Sequence, residues 1–309
     1  MSGPPKDNGF RATRPPTAMS SPSEKEPKVA VVTGANSGIG KVTVSSLLKQ
    51  GYRVIATARS KERGEAALAD WKKEVPDGNV TLVLCNLSDL KSVREAARQI
   101  AEQVTRIDVL LNNAGGIIGQ RHVTPEGLEE TLGGNHLGHF VLTQALLPLL
   151  EKAAPARIVN VSSSAHSSVK DMRWDDLSFE GGYSAPKAYG QSKLANILFT
   201  RALAKRLDAT KVTANALHPG VVRTRFGETG GGVIRFAVSL IRPFLIDDAQ
   251  GADTQLWLAT DPSLEGKTGG YYAKRKPAKM SKAASSDEGA ERLWALSEKL
   301  ARKAEAAAS

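Results

Sequence analysis

Thr33-Gly34-Ala35-Asn36-Ser37-Gly38-Ile39-Gly40 follows the apolar run Val29-Ala30-Val31-Val32 and precedes Lys41 to Gln50, which is apolar on one side and which Gly51 is placed to stop. Strand, glycine turn and helix in that order make a phosphate-binding device. Glycine lets the backbone pass close to an anion, and the helix N-terminus offers free N–H groups and a partial positive charge. The spacing departs from the usual Gly-x-Gly-x-x-Gly, because three residues separate Gly34 from Gly38. Alone, the stretch has a second reading, an ordinary glycine-rich turn. The decision rests on whether the rest of the chain supplies the other contacts of a nucleotide.

Strand and helix patterns alternate outward from that turn. Arg53 to Ala58 is a second strand with Arg59 at its end, followed by a helix from Lys61 to about Glu74 that Pro76-Asp77-Gly78 closes. Val80 to Cys85 is a third strand, and Ser88-Asp89 can cap the helix behind it. Ile107 to Leu111 runs into Asn112-Asn113-Ala114-Gly115-Gly116, and Thr124 to Lys152 is a long, mostly helical stretch. Arg157 to Val161 ends in Ser162-Ser163-Ser164, a helix covers Lys187 to Leu207, and Val212 to Leu217 ends in His218-Pro219-Gly220. Asp247 to about Ala259 is a further helix, Gly269 to Tyr272 a seventh strand, and Asp287 to Arg302 a terminal helix. This alternation predicts an α/β fold: a doubly wound, parallel, seven-stranded sheet of Rossmann type with helices on both faces. In such folds ligands collect beyond the carboxyl ends of the strands. Every unusual polar cluster lies at such an end: Thr33 to Gly40, Arg59, Asn86, Asn112 to Gly115, Ser162 to Ser164 and His218 to Gly220.

Composition bounds the remaining options. The chain has 309 residues and 41% hydrophobic content, enough for one sizeable core. Residues 1–27, rich in Pro, Ser, Gly and Lys, read as a disordered tail, 28–304 as a single domain and 305–309 as a C-terminal tail. No run approaches the roughly 20 apolar residues of a membrane span. The first residues lack the apolar core of a secretory signal, and Asp7, Glu24 and Glu26 weigh against a transit peptide despite Arg11 and Arg14. The expectation is a cytoplasmic protein. The single cysteine, Cys85, excludes an internal disulfide and reads as a buried strand residue. The five histidines show no pairing of the zinc-binding kind, so no metal is expected. A net charge of +10 without a basic stripe interleaved with aromatics reads as a solvated basic surface, not a nucleic-acid interface.

Tyr189-Gly190-Gln191-Ser192-Lys193 is the second decisive stretch. On a helix, residues four apart share a face. An ammonium beside a phenol stabilises the phenolate and is expected to lower the pKa of Tyr189, making it an acid or base nearer neutral pH. A surface Tyr–Lys pair has the same spacing. Taken in order with the glycine turn, Asn112 to Gly115, the Ser163 strand end and His218-Pro219-Gly220, however, the stretch resembles the short-chain dehydrogenase/reductase family. The match runs from Lys28 to about Tyr272. Asn135-His136-Leu137-Gly138-His139-Phe140, Ser192 to Leu198 and the terminal Arg292-Leu293-Trp294 resemble its retinol-dehydrogenase-like branch.

The resemblance implies an oxidoreductase that moves hydride between a nicotinamide and a carbonyl or alcohol. By resemblance, Tyr189 is the catalytic acid/base, Lys193 lowers its pKa and binds the nicotinamide ribose, and Ser163 hydrogen-bonds the substrate oxygen. Ser162 and Ser164 flank it and leave that choice to strand alignment. Asn135 would hold a water in a proton relay to Lys193. Cofactor contacts are implied at Gly34, Asn36, Ser37, Gly38, Ile39, Gly40, Asn86, Leu87, Asn113, Ala114, Gly115, Pro219, Gly220, Val222 and Thr224. An acidic residue at the end of the second strand would favour NAD, but this chain has Arg59 there and Lys41 after the glycine turn, so NADP(H) is the expected cofactor. Two departures stand out. Asn86 replaces the usual Asp, still offering a donor and an acceptor to adenine. Gly133-Gly134 precede Asn135, where each helical glycine costs about 1 kcal/mol relative to Ala, so a local bend is expected.

The substrate side is less specified. Ala165 to Pro186 and Arg223 to Leu245 should wall it, and the apolar Val233 to Leu245 reads as a lid, an interface or a membrane contact. The resemblance implies a lipophilic retinoid-, steroid- or polyketide-like carbonyl or alcohol, and a homodimer or tetramer. The competing reading is a non-catalytic NADP-binding regulatory or scaffold protein on the same fold.

Overall fold

Val29–Val32 (β1) is apolar and buried at all four positions, as a strand covered on both faces must be. The computed structural model describes Gly3 and residues 26–221 and 246–306. Nearly all of the tail at 1–27, as well as Val222, Thr224 and Val233 to Leu245, lies outside the described residues.

The glycine turn leads from β1 into α1 (Gly38–Lys49). Then come β2 (Arg53–Ala58), α2 (Lys61–Glu74), β3 (Val80–Leu84), α3 (Leu90–Gln103) and β4 (Val109–Asn112). After a long connection follow α4 (Glu130–Leu132), a π turn (Gly133–Leu137), α5 (Gly138–Ala153), β5 (Ala156–Val161) and a short 3₁₀ turn (Ser164–Ser168). The chain continues through α6 (Ala185–Arg206), β6 (Val212–His218), α7 (Asp248–Thr260), β7 (Tyr271–Ala273), β8 (Lys276–Pro277) and α8 (Asp287–Ala306). The sheet order is β3-β2-β1-β4-β5-β6-β7-β8, parallel throughout except for β8. The expected doubly wound parallel sheet is therefore present, with an eighth, two-residue strand turned back on the edge. A strand that short and containing proline leaves no alternation to read. The last helix runs to Ala306, two residues past the expected end of the domain at 304.

Alternate strand residues feed two cores. Val31, Ile55, Leu110 and Ile158 pack on one face with residues of α3, α5, α6 and α8. Ala30, Val32, Val54, Leu111 and Val159 pack on the other with Val44 and Leu47 of α1, Trp71 of α2 and Leu258 of α7. Strand order reverses between β1 and β4, and beyond their carboxyl ends lies the crevice where doubly wound sheets bind ligands.

The expected long helix from Thr124 is broken. Only Glu130–Leu132 is helical before the π turn that contains Asn135. The glycines are the reason. A Cβ on Gly138 would stand 2.3 Å from the carbonyl oxygen of Leu87, and one on Gly134 would stand 2.8 Å from Ser88 Oγ. The turn thus lies directly on the loop after β3. The bend foreseen from the glycine pair takes the form of an extra residue in the helical turn, a geometry common at functional sites.

The terminal helix α8 covers α6. Trp294 packs edge-on to Phe140 at 5.1 Å, stacks on Phe199 at 6.1 Å and lies under the Arg206 guanidinium at 4.2 Å. Ser297 Oγ donates to Leu293 O (2.8 Å), so the His136 Nε2–H donates to Ser297 (2.8 Å). Burial pushes the His136 imidazole down to about 3. No helix among the described residues is long and apolar enough to cross a membrane. Replacing Trp294 with Ala should lower unfolding free energy by about 3–5 kcal/mol, through lost burial plus a cavity. Chemical denaturation measures it, and a loss under about 1 kcal/mol would show that α8 is not part of the cooperative core.

Candidate active site at the sheet's carboxyl edge

At the switch point the glycine turn is held by backbone bonds on both sides: Thr33 N–H to Leu111 O (3.0 Å) and Ala35 N–H to Thr57 O (2.9 Å). Gly34 (φ +61) and Gly38 (φ +54) occupy left-handed conformations that favour glycine. A Cβ on Gly40 would stand 2.4 Å from Gly34 O and 2.6 Å from Asn113 Nδ2, so only glycine lets the turn close against the loop after β4. Ser37 precedes α1 without capping it, and no acidic residue occupies the helix's first turn. The first N–H groups of α1 are thus left for an anion, and these residues fit a dinucleotide's pyrophosphate.

Around this cradle, Ile39 lies in the first turn of α1, and Asn113 Nδ2–H donates to Thr33 O (2.8 Å). Ala114 N–H donates to Thr33 Oγ1 (3.0 Å). Asn36 is half-buried in the turn itself. Asn86 accepts from Ser88 N–H in a short side-chain turn (3.3 Å), and Leu87 carries the carbonyl that touches the π turn. Arg59 is exposed at the end of β2 and makes no ion pair among the described residues. Lys41 is already engaged, its ammonium 2.5 Å from the Asp70 carboxylate between α1 and α2. Pro219 and Gly220 (φ +99) follow β6.

The Tyr189 and Lys193 side chains share one face of α6, with Lys193 Nζ 5.5 Å from the centre of the Tyr189 ring. Lys193 is almost wholly buried. Its ammonium donates to Val161 O at the end of β5 (3.0 Å) and forms no ion pair among the described residues. Burial pushes it down to about 8. Gly115 lies over it, for a Cβ there would stand 2.9 Å from Nζ. Burial raises the Tyr189 phenol to about 12, outweighing the neighbouring Ser163 side chain, which pulls it down. The expected lowering by Lys193 is therefore not what the free protein shows. Desolvation acts on phenol and ammonium together, and each is driven toward its neutral form.

Gly190 allows the Tyr189–Ser163 contact. A Cβ there would meet Ser168 Oγ at 2.7 Å and Ala165 O at 2.9 Å, so α6 lies directly on the turn that follows Ser163. Of the three serines after β5, Ser163 is the one whose side chain acts on the Tyr189 phenol. Ser162 is buried and donates to Lys193 O (2.7 Å), and Ser164 is exposed.

Asn135 uses its amide to clamp the loop over Lys193. Its Oδ1 accepts from Gly116 N–H (3.0 Å), while Nδ2 donates to Gly116 O (2.9 Å) and Ser192 Oγ (2.9 Å). Its carbonyl accepts from His139 Nδ1–H (3.0 Å), which leaves His139 Nε2 to accept from Thr33 Oγ1–H (2.9 Å). Thr33 Oγ1 in turn accepts from Asn113 and Ala114 N–H (2.9 and 3.0 Å). A buried neutral imidazole, pushed down to about 4 by burial, thus ties the cofactor cradle to the Asn135 turn. The sequence reading named neither Thr33 nor His139 as a site residue, although the four-residue spacing from Asn135 to His139 was there to be read.

The family model described as short chain dehydrogenase matches residues 28–230, and the chain belongs to that family. It is an oxidoreductase of alcohol and carbonyl groups, of the retinol-dehydrogenase-like branch. Retinol dehydrogenase 12 of Mus musculus is 41% identical over 270 residues, covering 87% of this chain and 85% of that protein. Among solved structures, an uncharacterized protein of Mycobacterium paratuberculosis is 34% identical with a TM-score of 0.70, covering 89% of this chain and 93% of its own. The Pseudomonas aeruginosa RhlG/NADP active-site complex is 27% identical with a TM-score of 0.61, covering 79% and 93%.

Substituting Gly190 with Ala should separate Tyr189 from Ser163. Turnover should fall at least about tenfold, since small misplacements of reacting groups are costly, while the nucleotide-binding constant stays within about twofold of the unsubstituted protein. Unchanged turnover would show that the close approach of α6 is not what sets the pair.

Proposed function

We propose that this chain is an NADP(H)-dependent carbonyl reductase or alcohol dehydrogenase of lipophilic small molecules. The observation that carries the proposal is the placement of Tyr189 beside Ser163, with the buried Lys193 ammonium over the Tyr189 ring and against Gly115. When bound, the nicotinamide supplies hydride in reduction and accepts it in oxidation. The glycine turn and α1 N-terminus would hold the pyrophosphate, and Asn86 and Leu87 the adenine. Asn113 to Gly115 and Pro219-Gly220 would line the rest, with Val222 and Thr224 as further contacts.

Ser163 and Tyr189 polarise the substrate oxygen with two hydrogen bonds. A phenol held near 12 is protonated at neutral pH, the form that reduction needs. Tyr189 yields that proton as charge develops on the oxygen, and the Lys193 ammonium then stabilises the phenolate left behind. Asn135 holds Gly115 and Gly116 against Lys193 and thereby shapes the proton's route away from it. The preference for NADP(H) rests on Arg59, an exposed fork of donors at the end of β2 that makes no ion pair among the described residues. Lys41 contributes less, because Asp70 shares its charge. A lipophilic substrate is supported by the branch, whose members include retinol dehydrogenases.

Replacing Tyr189 with Phe should lower carbonyl reduction by about 10²–10⁴-fold while NADPH still binds, as fluorescence titration would show. Full turnover by this variant would end the proposed mechanism. A panel of aldehydes and ketones that gives no NADPH oxidation, with NADPH nonetheless bound, would favour the non-catalytic alternative. Against NADH, NADPH should bind about 10- to 100-fold tighter, the worth of one charge-assisted contact. Arg59→Ala should erase most of that ratio, and equal affinities in the unsubstituted protein would overturn the assignment.

A further inference from the structure

The carbonyl of Ser163 is held by a residue that the chemistry above does not use. His166 lies in the 3₁₀ turn after Ser163 and is almost fully buried. Its Nδ1 is 2.7 Å from Ser163 O, its Nε2 is 3.2 Å from the backbone nitrogen of Ser281, and Ser167 Oγ also lies 3.2 Å from Nε2. A carbonyl only accepts and a backbone N–H only donates. The ring is therefore fixed as the neutral Nδ1–H tautomer, with Nε2 accepting from Ser281 and Ser167. The Ser163 carbonyl also accepts from the His166 backbone N–H (3.1 Å), and Ser163 Oγ accepts from Ala165 N–H (3.2 Å). The imidazole thus sets the plane of the peptide that follows Ser163, and with it the direction of Oγ toward Tyr189.

The far side of the ring belongs to the segment that leads into α8. Ser281 begins a turn in which its Oγ accepts from Ala284 N–H (3.3 Å) and its carbonyl accepts from Ser285 N–H (3.0 Å). The ring packs edge-on against Tyr271 of β7 at 5.1 Å. Among the described residues, the titratable or charged groups coupled to it or to its neighbours are His218 at the end of β6, Lys274 at the tip of the β7–β8 hairpin, which acts on His218, and Tyr189, which acts on Tyr271. None is a carboxylate, and burial holds the imidazole below its ordinary pKa.

We propose that His166 is a positioning residue for Ser163, and that through Ser281 it makes the segment before the terminal helix part of the active site. Protonation of Nε2 would set an N–H against the Ser281 N–H and break the link, so turnover should fall at acid pH. This rests on the reading of Ser163 as the group that hydrogen-bonds the substrate oxygen.

Two variants test it, with kcat measured from about pH 5 to 8 and the NADPH dissociation constant by fluorescence. His166→Phe keeps the ring packing on Tyr271 and loses every side-chain hydrogen bond. It should lower kcat at least about tenfold with NADPH affinity unchanged. His166→Asn keeps an N–H for the Ser163 carbonyl and loses the group that titrates. It should retain kcat within about threefold at neutral pH and lose the acid limb seen in the unsubstituted protein. A Phe variant with undiminished kcat, an Asn variant that keeps the acid limb, or NADPH affinity falling as far as kcat would each overturn the proposal. The link is also read without turnover. ¹⁵N imidazole NMR of the unsubstituted protein should show His166 as the neutral Nδ1–H tautomer, and the Ser281 amide should exchange faster in the Asn variant. The opposite tautomer, or unchanged exchange, would overturn the proposal. If no carbonyl is reduced by the unsubstituted protein, the functional reading fails and the link still stands or falls on these two spectra.

Discussion

Burying an ammonium costs several kcal/mol even after relaxation, and Lys193 is buried without a carboxylate partner among the described residues. Among the described residues it faces the Val161 carbonyl at 3.0 Å, the Tyr189 ring at 5.5 Å and the backbone at Gly115, with the neutral His139 within electrostatic reach. A charge so weakly compensated is a standing source of positive potential, and the residues around it are arranged to use that potential. The end of β5 provides the carbonyl, α6 provides both lysine and tyrosine, and the loop after β4 closes over the top. Asn196 also donates to Val161 O (3.1 Å), and Ser162 ties the backbone carbonyl of Lys193 itself (2.7 Å). The lysine is thus held at its stem as well as at its head.

The site depends equally on backbones that come unusually close. Gly40 lets the nucleotide turn close on Asn113, Gly138 lets the π turn lie on Leu87, and Gly190 lets α6 lie on the turn after Ser163. At each of these points a methyl group would collide with backbone or site atoms. Buried imidazoles then fasten what the glycines bring together. His139 joins Thr33, and with it the Asn113-Ala114 backbone, to Asn135. His166 joins Ser163 to Ser281. Both imidazoles are kept neutral by burial, which lets each donate at one nitrogen and accept at the other.

The fold was legible because its signals are periodic and local. Apolar strand runs, polar clusters at strand ends and Tyr189 four residues before Lys193 require no knowledge of tertiary contacts. Less could be read where function depends on which segments meet. The sign of the Tyr189 shift follows from burial, which a sequence does not display, so a reading from charge proximity alone pointed the wrong way. Lys41 looked free for a phosphate until α2 brought Asp70 against it. The long helix around Asn135 gave away its irregularity through Gly133-Gly134, yet the π geometry follows from contact with Ser88 and Leu87, which lie more than forty residues earlier in the chain. His139 and His166 are ordinary residues in a string of letters. Their importance comes from having both ring nitrogens matched by backbone or hydroxyl partners from other elements.

At the heart of the site stands an ammonium that is buried and yet charged near neutral pH. An NMR titration of the Lys193 side chain in the free protein, assigned by comparison with a Lys193 variant, tests this most directly. The midpoint should lie near 8, well below the ordinary lysine value of about 10.4, with the group still protonated at pH 7. A midpoint at or above about 10 would place the ammonium in water and contradict the account.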